Sequence, residues 1–232
     1  MAKDTLRKSS AALAGALLCS LFACGAPTPR PVDLSSGNRE YSTDDYGRVV
    51  NRWTRHARLQ KDFDKVAPFD TALDVRATFE AWDWRWAYVE RYADTYKLPE
   101  ADKQKFREEQ LATAKKVHEF HVAAQASRYE WTDFLNKKNA VWRIVMFDDS
   151  GREVAPSDVW PVKAPLAQEA AFFPYIGGID QPFTTLVVFR FDAEFPDGTP
   201  TISPDTKHVT LRFSGPLGTV DLVWDTVLAK KH

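Results

Sequence analysis

The chain of 232 residues has only two cysteines, and both precede residue 25. Beyond that point a disulfide framework and thiol catalysis are both excluded. Five histidines add little material for a soft-metal centre. An excess of one charge sign is also lacking: 31 Lys and Arg face 32 Asp and Glu, a formal net charge of -1. No electrostatic footprint for nucleic acid results, so no nucleic-acid partner is expected. Long hydrophobic runs are missing as well. The apolar stretch Ser9 to Ala23 spans 15 residues, short of the ~20 that a membrane-spanning helix needs. No G-x-S-x-G, Walker loop or G-x-G-x-x-G occurs, so neither a catalytic residue nor a cofactor is assigned. What the chain does have is an ordinary globular composition, 44% hydrophobic and 27% charged.

The first 23 residues have the layout of an export signal. Lys3, Arg7 and Lys8 form a positive start, and the apolar stretch with Leu13, Leu17, Leu18, Leu21 and Phe22 follows. It ends Leu21-Phe22-Ala23-Cys24-Gly25. This resembles the lipobox of bacterial lipoproteins, with an aliphatic residue three before the cysteine and a small residue just before it. The resemblance implies cleavage before Cys24, lipid on Cys24, and a membrane attachment made nearly permanent by several acyl chains. In that family an Asp after the cysteine often signals inner-membrane retention; Gly25 stands there instead, which implies the outer membrane. Cleavage removes three basic residues and one acid, so the net charge moves from -1 to -3.

Residues 24–45 then read as the lipidated cysteine and a tether, with Pro27, Pro29, Pro31 and the run Ser35-Ser36-Gly37-Asn38. A single α+β domain is expected over 46–232. Tyr46 to Val66 is predicted as an amphipathic helix through Val49, Val50, Trp53, Ala57 and Leu59. Its arginines form a solvated face or a second contact with anionic lipid. Leu73 to Ala81 alternates apolar with polar, the mark of a half-buried strand. The period then changes: Asp83 is placed to cap a helix carrying Tyr88, Tyr92 and Tyr96, and Pro99 opens a second helix as its first residue.

Strand signals resume over His118–Ala126, Trp142–Phe147, Thr184–Phe191, Val209–Phe213 and Thr219–Trp224. Arg152–Val162 is predicted as the hairpin partner of Trp142–Phe147, kept to an edge by Pro156 and Pro161. The expected fold is an antiparallel β-sandwich-like domain of about seven strands. A helical hairpin is inserted after the first strand, and an N-terminal helix precedes it. The alternative is one antiparallel sheet covered by helices. In this outline the chain also resembles the many uncharacterised bacterial lipoproteins with a tethered helical-plus-β domain.

The most unusual local feature is Trp82-Asp83-Trp84-Arg85-Trp86-Ala87-Tyr88. Aromatics flanked by charges serve sugar stacking or an interface hot spot, and equally serve packing between helices and sheet. Trp82, Trp84, Trp86 and Tyr88 are therefore the candidate binding residues, and Cys24 the lipidation site. His118 and His121 lack the i, i+4 spacing of a zinc-protease helix and are predicted to point oppositely on a strand. Asp192–Gly198 breaks the spacing of a calcium loop and reads as a turn. Phe172–Gly178 is an apolar loop, either a partner-binding lip or a plug at one end of the domain. The function expected is that of a lipid-anchored envelope lipoprotein, a non-catalytic module that binds an envelope protein or is structural. The alternative is a protein that binds or cleaves glycans through the Trp82–Tyr88 region.

Overall fold

A computed structural model describes residues 31–61, 70–136, 138, 140–163, 166–176 and 184–227. The signal stretch and Cys24 lie outside the described residues, as do Gly177 and Gly178. The chain is α+β, with eight strands in two antiparallel sheets and four α-helices among the described residues. The helices are α1 (Tyr46–Trp53), α2 (Trp82–Tyr96), α3 (Glu100–Ala114) and α4 (Leu166–Phe172). The larger sheet has the order β1 (Thr54–Lys61), β2 (Asp70–Phe79), β3 (Val117–Gln125), β6 (Thr184–Asp192), β5 (Asp158–Pro161). The smaller has β4 (Arg143–Phe147), β7 (His208–Gly215) and β8 (Gly218–Asp225).

The core follows from alternation. Leu73, Val75, Ala77 and Phe79 on β2 are all fully buried, as are Phe120 and Val122 on β3. Val209, Leu211 and Phe213 of β7 and Leu222 and Trp224 of β8 are buried too. The two sets meet ring on ring: Trp224 lies 5.3 Å from Phe120 and 6.0 Å from Phe79, and Phe189 lies 6.0 Å from Phe213. These edge-on and tilted pairs are favoured beyond their buried area. Gly215 closes the β7–β8 hairpin where a Cβ would stand 2.1 Å from the carbonyl oxygen of Val141, so only glycine fits.

Several expectations are corrected. The N-terminal helix stops at Trp53, and Thr54–Lys61 is a strand, so the helical hairpin follows the second strand and eight strands replace seven. The reason is a change of period at Thr54: Ala57 and Leu59 turn inward while His56, Arg58 and Gln60 are exposed. Arg55 shares the inward side, donating to the Val223 carbonyl at 2.7 Å and so linking β1 to β8. Residues 152–162 do not form a hairpin with β4. Val154 alone bridges Met146, and Asp158–Pro161 crosses to the edge of the other sheet beside β6. That edge position is where Pro161 costs no ladder bond. Pro99 is the N-cap of α3 rather than its first residue.

Asp83 does not cap α2; the N-cap is Ala81. Instead its carboxylate, 2% exposed, accepts from Arg39 Nε at 3.1 Å, the Tyr41 hydroxyl at 2.5 Å and Trp53 Nε1 at 2.8 Å. Arg39 and Tyr41 belong to the stretch expected as tether. That stretch is seated on the domain from Val32 on: Val32 is fully buried and bridges Thr226 in parallel.

Candidate functional site

α2 begins where β2 ends, and its first two turns lie over the face of the larger sheet away from β7 and β8. On β3, alternation sends Phe120 into the core and Glu119 and His121 to this helix-side face. Arg85 of α2 is 2% exposed and reaches down to them. Its Nη2 lies 2.5 Å from Glu119 Oε2 and 3.7 Å from Glu80 Oε2, its Nη1 donates to Gln110 of α3, and its Nε donates to the Glu80 carbonyl. The other oxygen of Glu119 accepts two bonds from Arg190 of β6, at 2.9 and 2.6 Å. A buried carboxylate thus sits between two arginines, in the arrangement that offsets the cost of burying charge.

Beside this cluster lies a cleft of about 590 Å³, within the range of ligand sites. Trp160 from β5 stands at its edge with the Arg190 guanidinium 4.5 Å from the ring centre. Trp84, Tyr88, Phe173 and His121 line another part, and Lys163, exposed just after β5, stands on its border. Phe173 stacks on the His121 ring at 3.7 Å and 9°. The Tyr175 hydroxyl, donating to the His121 carbonyl, holds the same segment down. Phe172 packs on Tyr88 and Tyr92, and its carbonyl accepts from the buried Tyr46 hydroxyl. Within its described part, the apolar loop is therefore a plug between helices and sheet.

All four candidate aromatics fall on α2, and the helix divides them. Trp84, 1% exposed, is stacked between Tyr88 at 4.7 Å and Phe173 at 5.8 Å, so both of its faces are covered. Trp84 and Tyr88 reach the cleft. Trp86 turns to α3, where Arg107 lies 5.1 Å from its ring. Trp82 points the other way, donating to the Gly37 carbonyl with the Lys115 ammonium 5.5 Å from its ring. The buried indole N–H groups of Trp84 and Trp86 have no hydrogen-bond partner among the described residues.

Trp82 borders a second cavity of about 450 Å³, closed on one side by Leu34, Ser35 and Ser36. His118 lines it from the opposite face of β3 to His121, as strand alternation requires. Burial beneath Phe79, joined by the nearby Arg85 charge, pushes the His118 imidazole down to about 4. The aspartates of the loops have architectural work: Asp148 accepts from Ser150 and Ser203, Asp149 from the Lys207 and His208 amides, and Asp197 from Thr199 inside its turn.

Sequence reasoning does not find Glu80, Arg85, Gln110, Glu119, Trp160, Lys163 or Arg190 as a group, because they come from six separate segments. One signal is present in Arg85. It lies on the same helical stripe as Ala81, Tyr88 and Tyr92, where a charge needs a buried partner.

No known protein-family model matches the chain, and no curated protein does. Among solved structures it is similar to a protein of unknown function from Burkholderia pseudomallei K96243, at 9% identity and a TM-score of 0.35. That match covers 82% of this chain and 94% of the other. No helix among the described residues is long and apolar enough to cross a membrane.

Proposed function

We propose that this chain is a bacterial lipoprotein, anchored through lipid on Cys24 and exported to the cell envelope at the outer membrane, whose domain is a non-catalytic binding module. The anchor rests on the Leu21–Cys24 box behind a charged start and an apolar stretch. The binding role rests on one observation above others: both oxygens of Glu119, the buried carboxylate of the cleft, are held by arginines. A carboxylate fixed in this way holds the polar lining of the cleft in one arrangement, which suits recognition of a ligand. The two sheets are read in the same way as a sandwich-like pair, supported by the Phe189–Phe213 and Phe120–Trp224 contacts between them.

Replacement of Cys24 by Ser is the test of the anchor. Palmitate labelling is lost and an uncleaved precursor accumulates; continued labelling refutes it. For the binding role, affinity capture with the wild-type chain is compared with a Lys163→Glu variant. An envelope protein retained by the first and lost by the second is the expected result, and equal capture counts against the cleft. A second reading, glycan binding, is favoured by a specific feature, the two carboxylates of Glu80 and Glu119 in a cleft with aromatic lining.

A further inference from the structure

We infer that the cavity closed on one side by residues 34–36 takes an uncharged lipid-like molecule, an apolar chain carrying one hydroxyl, with the hydroxyl held by His118. It is a different site from the cleft beside Arg85 and shares only Glu80 with that lining. His118 stands second in β3 and points to the same side as Phe120 and Val122, both fully buried in the core. At this end of the strand the core gives way to a cavity of about 450 Å³, within the range of ligand sites. Leu34, Phe79, Val117, Ile202 and Val227 supply its apolar wall. Such a wall favours hydrocarbon over water.

Most polar groups of the lining are already engaged. Asp33 is paired with Arg39, the Glu80 carboxylate faces Arg85, and the Thr206 and Thr226 hydroxyls donate to the carbonyls of His208 and Thr206. The His118 imidazole makes no hydrogen bond among the described residues, and its ring lies edge-on to Phe79 at 5.8 Å. Burial keeps that imidazole uncharged at neutral pH. A neutral imidazole offers one N–H and one lone pair, and a hydroxyl, which both donates and accepts, suits either tautomer. A charged head group at the same place would leave water with no opposite charge to meet it. Lys115 is exposed at the border, 5.5 Å from the Trp82 ring, where an anion would stay in water and leave His118 unused. The strap over the cavity is fixed in advance, since Trp82 donates to the Gly37 carbonyl at 2.9 Å and Arg39 ties Asp33 to Asp83. Ordering cost on binding is therefore small.

1-Octanol, octanoate and octylammonium form the probe set, since they share a chain and differ only in the head group. The histidine imidazole and tryptophan indole signals of the full-length protein are followed by NMR at neutral pH during titration with each. 1-Octanol is expected to shift the His118 and Trp82 signals and to bind about tenfold more tightly than either ion. His118→Leu keeps most of the side-chain bulk and removes the hydrogen bond, so it should weaken 1-octanol about fivefold. The head-group series is read on the wild-type chain, so it stands even where that variant fails to fold. Octanoate or octylammonium binding as tightly as 1-octanol overturns the uncharged class. Undiminished 1-octanol binding in a folded His118→Leu overturns the role of His118. No shift of the His118 and Trp82 signals with 1-octanol up to about 1 mM overturns the site.

Discussion

Asp83→Asn is the substitution whose consequences the structure defines most closely. The Asp83 carboxylate is nearly inaccessible and accepts from Arg39, Tyr41 and Trp53, with Arg52 a further 3.9 Å contact. An asparagine of the same shape keeps one acceptor oxygen for Arg39 and Tyr41. Its amide nitrogen then faces the Trp53 indole N–H, donor against donor. Leaving that indole unpaired in the core costs about 1–3 kcal/mol. The Tyr41 bond becomes neutral and the Arg39 bond loses its ion-pair partner, about 1 kcal/mol each, since hydrogen bonds to charged groups are the stronger ones. Relief of the buried charge's desolvation offsets part of this, and about 3 kcal/mol of lost stability is expected.

For a chain of this size that lowers the melting temperature by about 6–12 °C. Two further readouts separate a local latch from general damage. The Val32 amide donates to the Asp225 carbonyl and the Val227 amide to that of Val32, so hydrogen exchange at both should accelerate more than at β3. The Tyr41 hydroxyl is raised to about 12, first by burial and then by its bond to Asp83 and by that charge. In the variant its alkaline absorbance titration moves toward 10 without reaching it, because burial persists. A stability loss under about 0.5 kcal/mol, with unchanged exchange at Val32, refutes the latch.

His118 gives a pH prediction. Its folded value of about 4 lies below the ordinary 6.5, so the unfolded chain takes up the proton first as pH falls. Stability from this group is full above about pH 6.5 and is lost progressively toward pH 4, on the order of 3 kcal/mol in all. Denaturant midpoints of wild type and His118→Phe across that window should separate as pH falls, the wild type losing stability that the phenylalanine variant keeps; a constant gap refutes the assignment. Glu119→Ala leaves Arg85 buried beside only the more distant Glu80, and calorimetry should record a loss of about 3–5 kcal/mol. Gly215→Ala drives a methyl into the Val141 carbonyl and should cost about 1–3 kcal/mol in a urea titration. An unchanged midpoint would mean that the β7–β8 turn shifts freely.

The strands that sequence declares are those whose inward set is wholly apolar. Leu73, Val75, Ala77 and Phe79 name β2 by alternation alone, and the hairpin of β7 and β8 is equally plain, with apolar alternation either side of a Gly-Pro turn. β1 alternates just as strictly, but Arg55 occupies one of its inward places, and a pattern read by hydrophobicity counts an arginine as outward. The Val223 carbonyl, 168 residues away, and the Trp224 ring, 5.7 Å from its guanidinium, explain why it turns in. The cleft is hidden for the same reason. Glu119 and Arg190 look like ordinary outward residues of two strands, and what makes them a site is Arg85, brought across by the helical hairpin. On α2 the aromatic run is legible as a cluster, but not as a surface, since a helix turns Trp82, Trp84 and Trp86 in different directions.

The docking of residues 32–41 changes the mechanical meaning of the proposed anchor. A free coil of the 21 residues from Gly25 to Asp45 would have a root-mean-square span of about 25 Å. With Val32 fixed beside Thr226, eight peptide steps separate it from Cys24, and their fully extended reach is about 28 Å, with a coil average near 16 Å. A lipid on Cys24 would then hold the domain close to the bilayer by one end of β8, rather than on a long leash. The Val32–Thr226 bridge sets this distance, and Asp83 supports it by holding Arg39 and Tyr41 in the stretch that follows. Releasing them in Asp83→Asn frees further residues beyond Val32 and lengthens the reach. Fluorescence transfer from a membrane dye to a label on the exposed Lys163 should therefore weaken in the variant. Unchanged transfer, together with faster exchange at Val32, would mean that contacts other than the strap hold the domain at the surface.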